Sequence, residues 1–314
     1  MIWLNGRLVP ADGPHLSVTD RGFQLGDGIF ETLRVRRDVA IEFDEHMARL
    51  RGSAAILELP VPAEDAVVAG AIHDLLVAQG LAGRDDPHPG DAALRITLSR
   101  GPIEARGLLP PGAEALGGTL AIQAWPFAPP SAALLARGVH AIASAVRRDP
   151  SSPMAGVKST SRADSVYAKL EAQRRGADDA VFLTPDGHLS EATTANLFIV
   201  RGAGRAGEAA TVLTPPLTAA ILPGTTRTWL LSDAARRASS GLRTIEADLR
   251  PSDLESADEA FVSSSVAGIV PLTSWEGQAI GSGVPGPVTQ RLRDAREAWI
   301  EEQSRIGRPL ADVA

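Results

Sequence analysis

The chain opens with short runs in which apolar and polar residues alternate, then changes to helical spacing. Residues 2–9 form an apolar run split by Asn5-Gly6, a pair favoured at a two-residue hairpin turn. Residues 28–35, Gly-Ile-Phe-Glu-Thr-Leu-Arg-Val, and 39–43 read as strands. An amphipathic helix is predicted over 44–57, ended by Pro60 and Pro62, and a second over 63–79. A polar loop over 83–90 precedes a strand at 93–99, and a further strand is expected at 120–125. The run Pro126-Phe127-Ala128-Pro129-Pro130 marks the break between two domains.

Beyond it, a strand at 138–146 leads into a loop over 149–156 rich in Pro, Ser and Gly. A helix is predicted over 163–175 with Gly176 as its stop, its buried stripe running through Ala163, Val166 and Leu170. Residues 180–184, 188–192 and 196–200 read as a meander turning at Pro185-Asp186-Gly187. A strand at 211–214, a loop over 215–224 and one helix over 225–238 come next. Short strands at 259–263 and 268–271 and a terminal helix over 287–302 complete the pattern, with the tail beyond about Ser304 expected to be loose. The domain boundaries are therefore set at 1–125, a linker at 126–131, a second domain at 132–303 and the tail at 304–314.

Composition narrows the function classes. With 314 residues, 44% hydrophobic and 22% charged, the chain can bury two ordinary cores. A net charge of -7 lacks the basic footprint that nucleic acid or an anionic membrane surface would require, so neither is expected as a partner. There is no cysteine, and the six histidines (His15, His46, His73, His88, His140, His188) are scattered singly, so no metal site is expected. No apolar run is long enough to span a bilayer and no leader pattern opens the chain, which points to the cytoplasm. Lys and Arg total 31, yet only Lys158 and Lys169 are lysines. Chemistry needing a deprotonatable amine must use one of these two or the N-terminus, because arginine keeps its proton.

Lys158 sits in Gly156-Val157-Lys158-Ser159-Thr160-Ser161, a loop between a strand and a helix, with Arg162 as a cationic neighbour. A Schiff-base lysine needs such a fixed, partly desolvated setting. Lys169, on the following helix beside Glu171, reads as a solvated surface residue. Ile221-Leu222-Pro223-Gly224-Thr225-Thr226-Arg227 is a Pro-Gly turn opening into a helix, where unsatisfied N–H groups and two hydroxyls can hold a phosphate or simply start a helix. Ser263-Ser264-Ser265 at a strand end is a second hydroxyl cluster. Glu191, among the small residues of Leu189-Ser190-Glu191-Ala192-Thr193-Thr194-Ala195-Asn196, is a carboxylate that, if buried, requires a cation, for which a pyridinium nitrogen would serve. Gly26-Asp27-Gly28 lacks the third glycine and the helix of a dinucleotide-binding fingerprint, and neither a Walker motif nor a Gly-x-Ser-x-Gly elbow occurs.

Taken in order, Phe30-Glu31, His46-x-x-Arg49-Leu50, Gly156-Val157-Lys158, Leu189-Ser190-Glu191 through Asn196-Leu197-Phe198, and Leu222-Pro223-Gly224-Thr225-Thr226-Arg227 resemble the class IV aminotransferases. This fold type IV pyridoxal 5'-phosphate family includes branched-chain aminotransferases, D-amino acid aminotransferases and aminodeoxychorismate lyases. The resemblance implies an α+β, two-domain enzyme with a smaller N-terminal α/β domain and a larger β-rich C-terminal domain. It implies that Lys158 carries the cofactor as a Schiff base and shuttles the substrate's proton. Glu191 would pair with the pyridine nitrogen, keeping the ring an electron sink. Arg49, Asn196, Thr225, Thr226, Ser264 and Ser265 would bind the cofactor, several of them through its phosphate, and a homodimer whose partner subunit completes the active site is implied.

Departures from the family bear on specificity. Many members have a tyrosine where Arg162 stands here, as it does in the lyases, and the branched-chain enzymes' tyrosine before the Gly26-to-Phe30 segment is Leu25. Thr32, Arg95, Arg106, Arg162 and Val266 are the implied substrate residues, and arginines there suit a substrate with carboxylates. The resulting expectation is transfer from a small α-amino acid to a keto acid such as 2-oxoglutarate, with D-amino acids favoured over branched-chain L-amino acids. Aminodeoxychorismate lyase, releasing pyruvate to leave 4-aminobenzoate, is the alternative, and a silent ligand-binding relative is the third reading.

Overall fold

The computed structural model describes residues 1–83, 91–113, 116–203 and 210–313; His88 and all but the first residue of the 83–90 loop lie outside them. The chain forms two compact units, one of Met1–Ala128, Val157–Arg162 and Ile300–Ala314, the other of Pro129–Gly156 and Ala163–Trp299. Helices and strands both contribute throughout, as an α+β fold requires.

In the first unit β1 (Ile2–Leu4) and β2 (Arg7–Val9) form the predicted hairpin. Asn5 and Gly6 take φ of 44° and 88°, the left-handed pair that such a turn needs. A short α1 (Arg21–Leu25), which the apolar pattern did not reveal, is capped by the Asp20 carboxylate accepting from Gly22 N at 2.8 Å. There follow β3 (Gly28–Arg36), β4 (Val39–Ala40), α2 (Phe43–Leu57), α3 (Asp65–Ala78), β5 (Ala92–Ser99) and β6 (Thr119–Pro126). The strands make one antiparallel sheet in the order β2-β1-β6-β5-β3-β4. Its pleat separates two chemistries. Ile29, Leu33 and Val35 of β3 and Leu94, Ile96 and Leu98 of β5 turn to the core that α2 and α3 cover, while Phe30, Thr32, Arg95 and Thr97 alternate with them onto the opposite face.

The second unit begins with α4 (Ala132–Arg137), β7 (Val139–Arg147) and α5 (Ala163–Arg174), and continues through β8 (Asp179–Leu183), β9 (Leu189–Ala192), β10 (Asn196–Arg201) and β11 (Thr211–Thr214). It goes on with α6 (Thr225–Leu231), α7 (Asp233–Ala238), β12 (Arg243–Glu246), α8 (Pro251–Glu255), β13 (Glu259–Ser264), β14 (Gly268–Trp275) and β15 (Gln278–Ala279). The long α9 (Pro287–Ile306) ends in the first unit, where α10 (Leu310–Val313) follows. Strand order in the second sheet is β12-β11-β10-β13-β14-β7-β8-β9, with β15 paired to β14. The sheet is mixed: β11–β12, β14–β7 and β7–β8 are parallel.

Four expectations are corrected. The meander does not form: β8 and β9 make the hairpin, but β10 pairs with β11 and β13. Asn196–Val200 is buried on both faces, so it requires a neighbour on each side. The helix expected over 225–238 is two, because Ser232 adopts an extended conformation and its hydroxyl caps α7 by accepting from Ala235 N at 3.3 Å. On α5 the buried stripe is Ser165, Ala168 and Ala172, while Val166 and Leu170 are exposed. Small side chains let this helix approach β7 and β8, which larger ones would hold off. The tail is not loose. Leu310 is 2% exposed within the first unit's core, α10 packs on α3, and Leu310 N donates to Asp38 O at 2.8 Å.

Leu310→Ala is therefore expected to destabilise the protein by about 2–4 kcal/mol, measured as a lower urea midpoint at unchanged slope. An unaltered midpoint would contradict this docking.

Candidate active site

In the first unit the lysine segment lies along β3. Phe30 N donates to Lys158 O and Thr160 N to Gly28 O, each at 2.9 Å, and Ile29 pairs with Ser159 as an antiparallel bridge. Val157 enters the first unit's core. Antiparallel register places Lys158 on the side of Phe30 rather than of Ile29, and its Nζ stands 4.8 Å from the Phe30 ring centroid. The Arg95 guanidinium lies 3.8 Å from the same centroid, and its Nε donates to Thr97 Oγ1 at 3.2 Å. Thr32 is directly opposite Arg95. Partial burial, aided by the positive charge of Arg162, holds Arg95 below the usual arginine pKa. Among the described residues no carboxylate pairs with Arg95. Lys158 and Arg95 thus stand over one aromatic ring, with Arg162 close enough to Arg95 to act on it electrostatically, and Arg95 can accept an anionic ligand.

On the core side of the same sheet, Glu31 is buried completely and accepts from Arg49 Nε at 2.8 Å, Arg49 Nη2 at 2.6 Å and His46 Nδ1 at 2.7 Å. His46 and Arg49 lie three residues apart on α2, so both reach one strand residue. Burial alone would raise the Glu31 pKa, but the hydrogen bonds and charge of Arg49 and His46 outweigh it and bring it down to about 2. Arg49 is thereby fixed in place.

In the second unit Glu191, on β9, is 8% exposed. Its Oε2 accepts from Leu222 N at 2.9 Å and from Asn196 Nδ2 at 3.4 Å, while Arg148 Nη2 stands 3.8 Å from Oε1. Asn196 Nδ2 also donates to Leu222 O at 2.9 Å, tying β10 to the turn before α6. A Cβ at Gly224 would fall 2.1 Å from Asn196 Oδ1, so this turn requires glycine. Thr225 Oγ1 and Ser265 Oγ are 3.1 Å apart, and the hydroxyls of Thr226 and Ser263 are buried without a partner among the described residues. With only seven residues, α6 has a weak dipole, and the hydroxyls are the stronger anion donors.

The sequence profile of the family described as Amino-transferase class IV matches residues 28–275, which is most of the chain. The chain belongs to the class IV aminotransferases. It is 32% identical over 304 residues to a putative branched-chain-amino-acid aminotransferase of Methanocaldococcus jannaschii, covering 95% of this chain and 97% of that one. It is 28% identical to a D-alanine aminotransferase of Bacillus licheniformis, covering 95% and 96%. The crystal structure of the Escherichia coli branched-chain amino acid aminotransferase superposes with a TM-score of 0.82 at 28% identity, covering 95% of this chain and 93% of that one.

Class IV aminotransferases are pyridoxal phosphate enzymes, and this chain is a transaminase of that type. Its residues fit the group. A buried hydroxyl without a partner costs on the order of 1–3 kcal/mol, and phosphate oxygens would supply acceptors for Thr226 and Ser263. Ser263, one of the three serines of that hydroxyl cluster, is the one whose hydroxyl is buried without a partner among the described residues, and strand pairing sets it opposite Asn196. Ser264 Oγ accepts from Ala267 N at 3.2 Å within its own turn, where Val266 is half-buried. Arg148 was missed, since nothing local marks it. Arg106 is exposed and, among the described residues, makes no hydrogen bond or ion pair. Lys169 is half exposed with Asp179 at 3.7 Å, a surface residue as expected.

Because its folded pKa is depressed, Glu31 contributes stability that is complete above its ordinary value of 4.5 and declines as pH falls toward about 2. Glu31→Gln is expected to cost roughly 3 kcal/mol at pH 7 and about half that at pH 3. Urea unfolding at the two pH values measures it, and an equal cost at both would contradict the assignment.

Proposed function

We propose that this class IV aminotransferase moves the amino group of a small α-amino acid to a keto acid such as 2-oxoglutarate, preferring D-amino acids to branched-chain L-amino acids. The observation that carries the reading is Arg95, half-buried beside Phe30, unpaired by any described carboxylate and facing the charge of Arg162. Such a face suits substrate carboxylates better than a branched aliphatic side chain. Likeness to a D-alanine aminotransferase and the absence of tyrosine at Leu25 and Arg162 support the same order of preference.

When bound, the cofactor supplies an aldehyde and an electron-withdrawing ring. Lys158 Nζ would hold it covalently and, once released by an incoming amine, move the proton at the substrate's α carbon. Glu191 would accept from the ring nitrogen, with Asn196 and the Leu222 amide holding its carboxylate in place. Arg49, oriented by Glu31, and the hydroxyls of Thr225, Thr226, Ser264 and Ser265 would hold the phosphate. Thr32, Arg95, Arg162 and Val266 would contact substrate. We assign the enzyme to the cytoplasm as a homodimer. Exposed Leu108 and Leu109, with Phe23 and Val18, support an apolar contact between copies, in which the loop carrying Arg106 completes the other copy's site.

Two measurements test these readings. In half-reactions followed by absorbance, D-alanine is expected to convert the bound cofactor faster than L-leucine, and Lys158→Ala to abolish conversion. Faster L-leucine would reverse the preference, and pyruvate release from aminodeoxychorismate without a keto acceptor would favour the lyase. Leu108→Asp is expected to shift the sedimentation equilibrium toward monomer; an unchanged mass would reject that contact.

A further inference from the structure

The glycine pair that fails as a nucleotide-binding motif has a different use. We propose that Gly26-Asp27-Gly28 is a dock for the lysine segment and that Thr160 is a positioning residue for the Lys158 amine, an inference that rests on Lys158 being the cofactor-bearing lysine. One edge of β3 is taken by β5 along its whole length, whereas on the other edge β4 covers only Val35 and Arg36. The lysine segment fills the vacant N-terminal stretch of that edge.

Thr160 is bound twice. Its amide donates to Gly28 O at 2.9 Å and its hydroxyl to Gly26 O at 3.0 Å. Both glycines are required by the close approach. A Cβ at Gly28 would lie 2.7 Å from Leu98 O and 3.1 Å from Thr160 Oγ1, and one at Gly26, where φ is 67°, would lie 3.0 Å from Ser161 Cβ. Asp27 makes the dock rigid, because its Oδ2 accepts from Arg21 Nε and Arg100 Nε, each at 2.8 Å. Arg100 is anchored in turn on Leu57 O at 2.7 Å and Glu58 O at 2.9 Å. Lys158 is therefore bracketed between the Phe30 amide and a doubly held Thr160, which fixes the direction of its side chain over Phe30.

The test uses full-length Thr160→Val, Thr160→Ser and Gly28→Ala proteins. Each is mixed, free of cofactor, with pyridoxal 5'-phosphate, and growth of the covalent adduct is followed by absorbance. Borohydride then fixes the adduct, and peptide mass spectrometry locates it. Thr160→Val is expected to form the adduct about tenfold more slowly and to hold a larger share of cofactor reversibly, while Thr160→Ser, which keeps the hydroxyl, matches the parent. Gly28→Ala is expected to be slower still, and the threonine variants decide the matter if it does not fold. Adduct formation by Thr160→Val at the parental rate, or equal impairment of Thr160→Ser, overturns the dock. A parent labelled at Lys158 together with an unaffected Thr160→Val refutes this inference alone; a parent with no label at Lys158 refutes the functional reading and the dock with it.

Discussion

Two backbone hydrogen bonds, from Phe30 N to Lys158 O and from Thr160 N to Gly28 O, decide where the amine stands. They set an antiparallel register, and register in a pleated structure is all or nothing: a slip of one residue exchanges the faces. With the lysine opposite its present position, its ammonium would enter the apolar core containing Ile29, Leu33 and Val157, where an unpaired charge is prohibitively costly. The same pleat that puts leucines and isoleucines beneath α2 and α3 therefore puts Lys158, Phe30, Thr32 and Arg95 together above.

Charge in the two units is organised in opposite senses. On the face of the first sheet away from its core, Arg95 has no matching carboxylate among the described residues. On the covered face, the fully buried Glu31 pairs with Arg49 and hydrogen-bonds His46. In the second unit a carboxylate, Glu191, accepts from the Leu222 amide and Asn196 with Arg148 at 3.8 Å, and the hydroxyls of Thr226 and Ser263 are buried without partners among the described residues. Buried polar groups in a folded protein are normally satisfied, so the hydroxyls of Thr226 and Ser263, without partners among the described residues, fit a ligand that brings acceptors.

Much of this was legible in the residues. Asn5-Gly6 announced the hairpin, and strand alternation located β3 and β5 to within about a residue. Glu191, Asn196 and Thr225 stood out as a carboxylate and polar groups inside apolar or small-residue runs, and the structure brings Glu191 and Asn196 into one bonded cluster with Leu222, while Thr225 meets Ser265. What escaped was decided by partners distant in sequence. Val157–Arg162 was assigned to the second domain because chain order put it there, yet its backbone bonds to Phe30 and Gly28 join it to residues more than a hundred positions earlier. The buried side of α5 was misjudged because hydrophobicity favours Val166 and Leu170, whereas close packing on β7 and β8 selects alanine. Ser232 was legible, a serine before an aspartate, but its capping signal was overridden by helical spacing on both sides.

The burial of Leu310 has a consequence for biosynthesis. The first unit is assembled from three separate stretches, the last of which is synthesised after the whole of the second unit. Its sheet and helices can collapse early, but its core lacks Leu310 until the second unit has been made, so during synthesis the earlier part of the first unit carries an apolar gap.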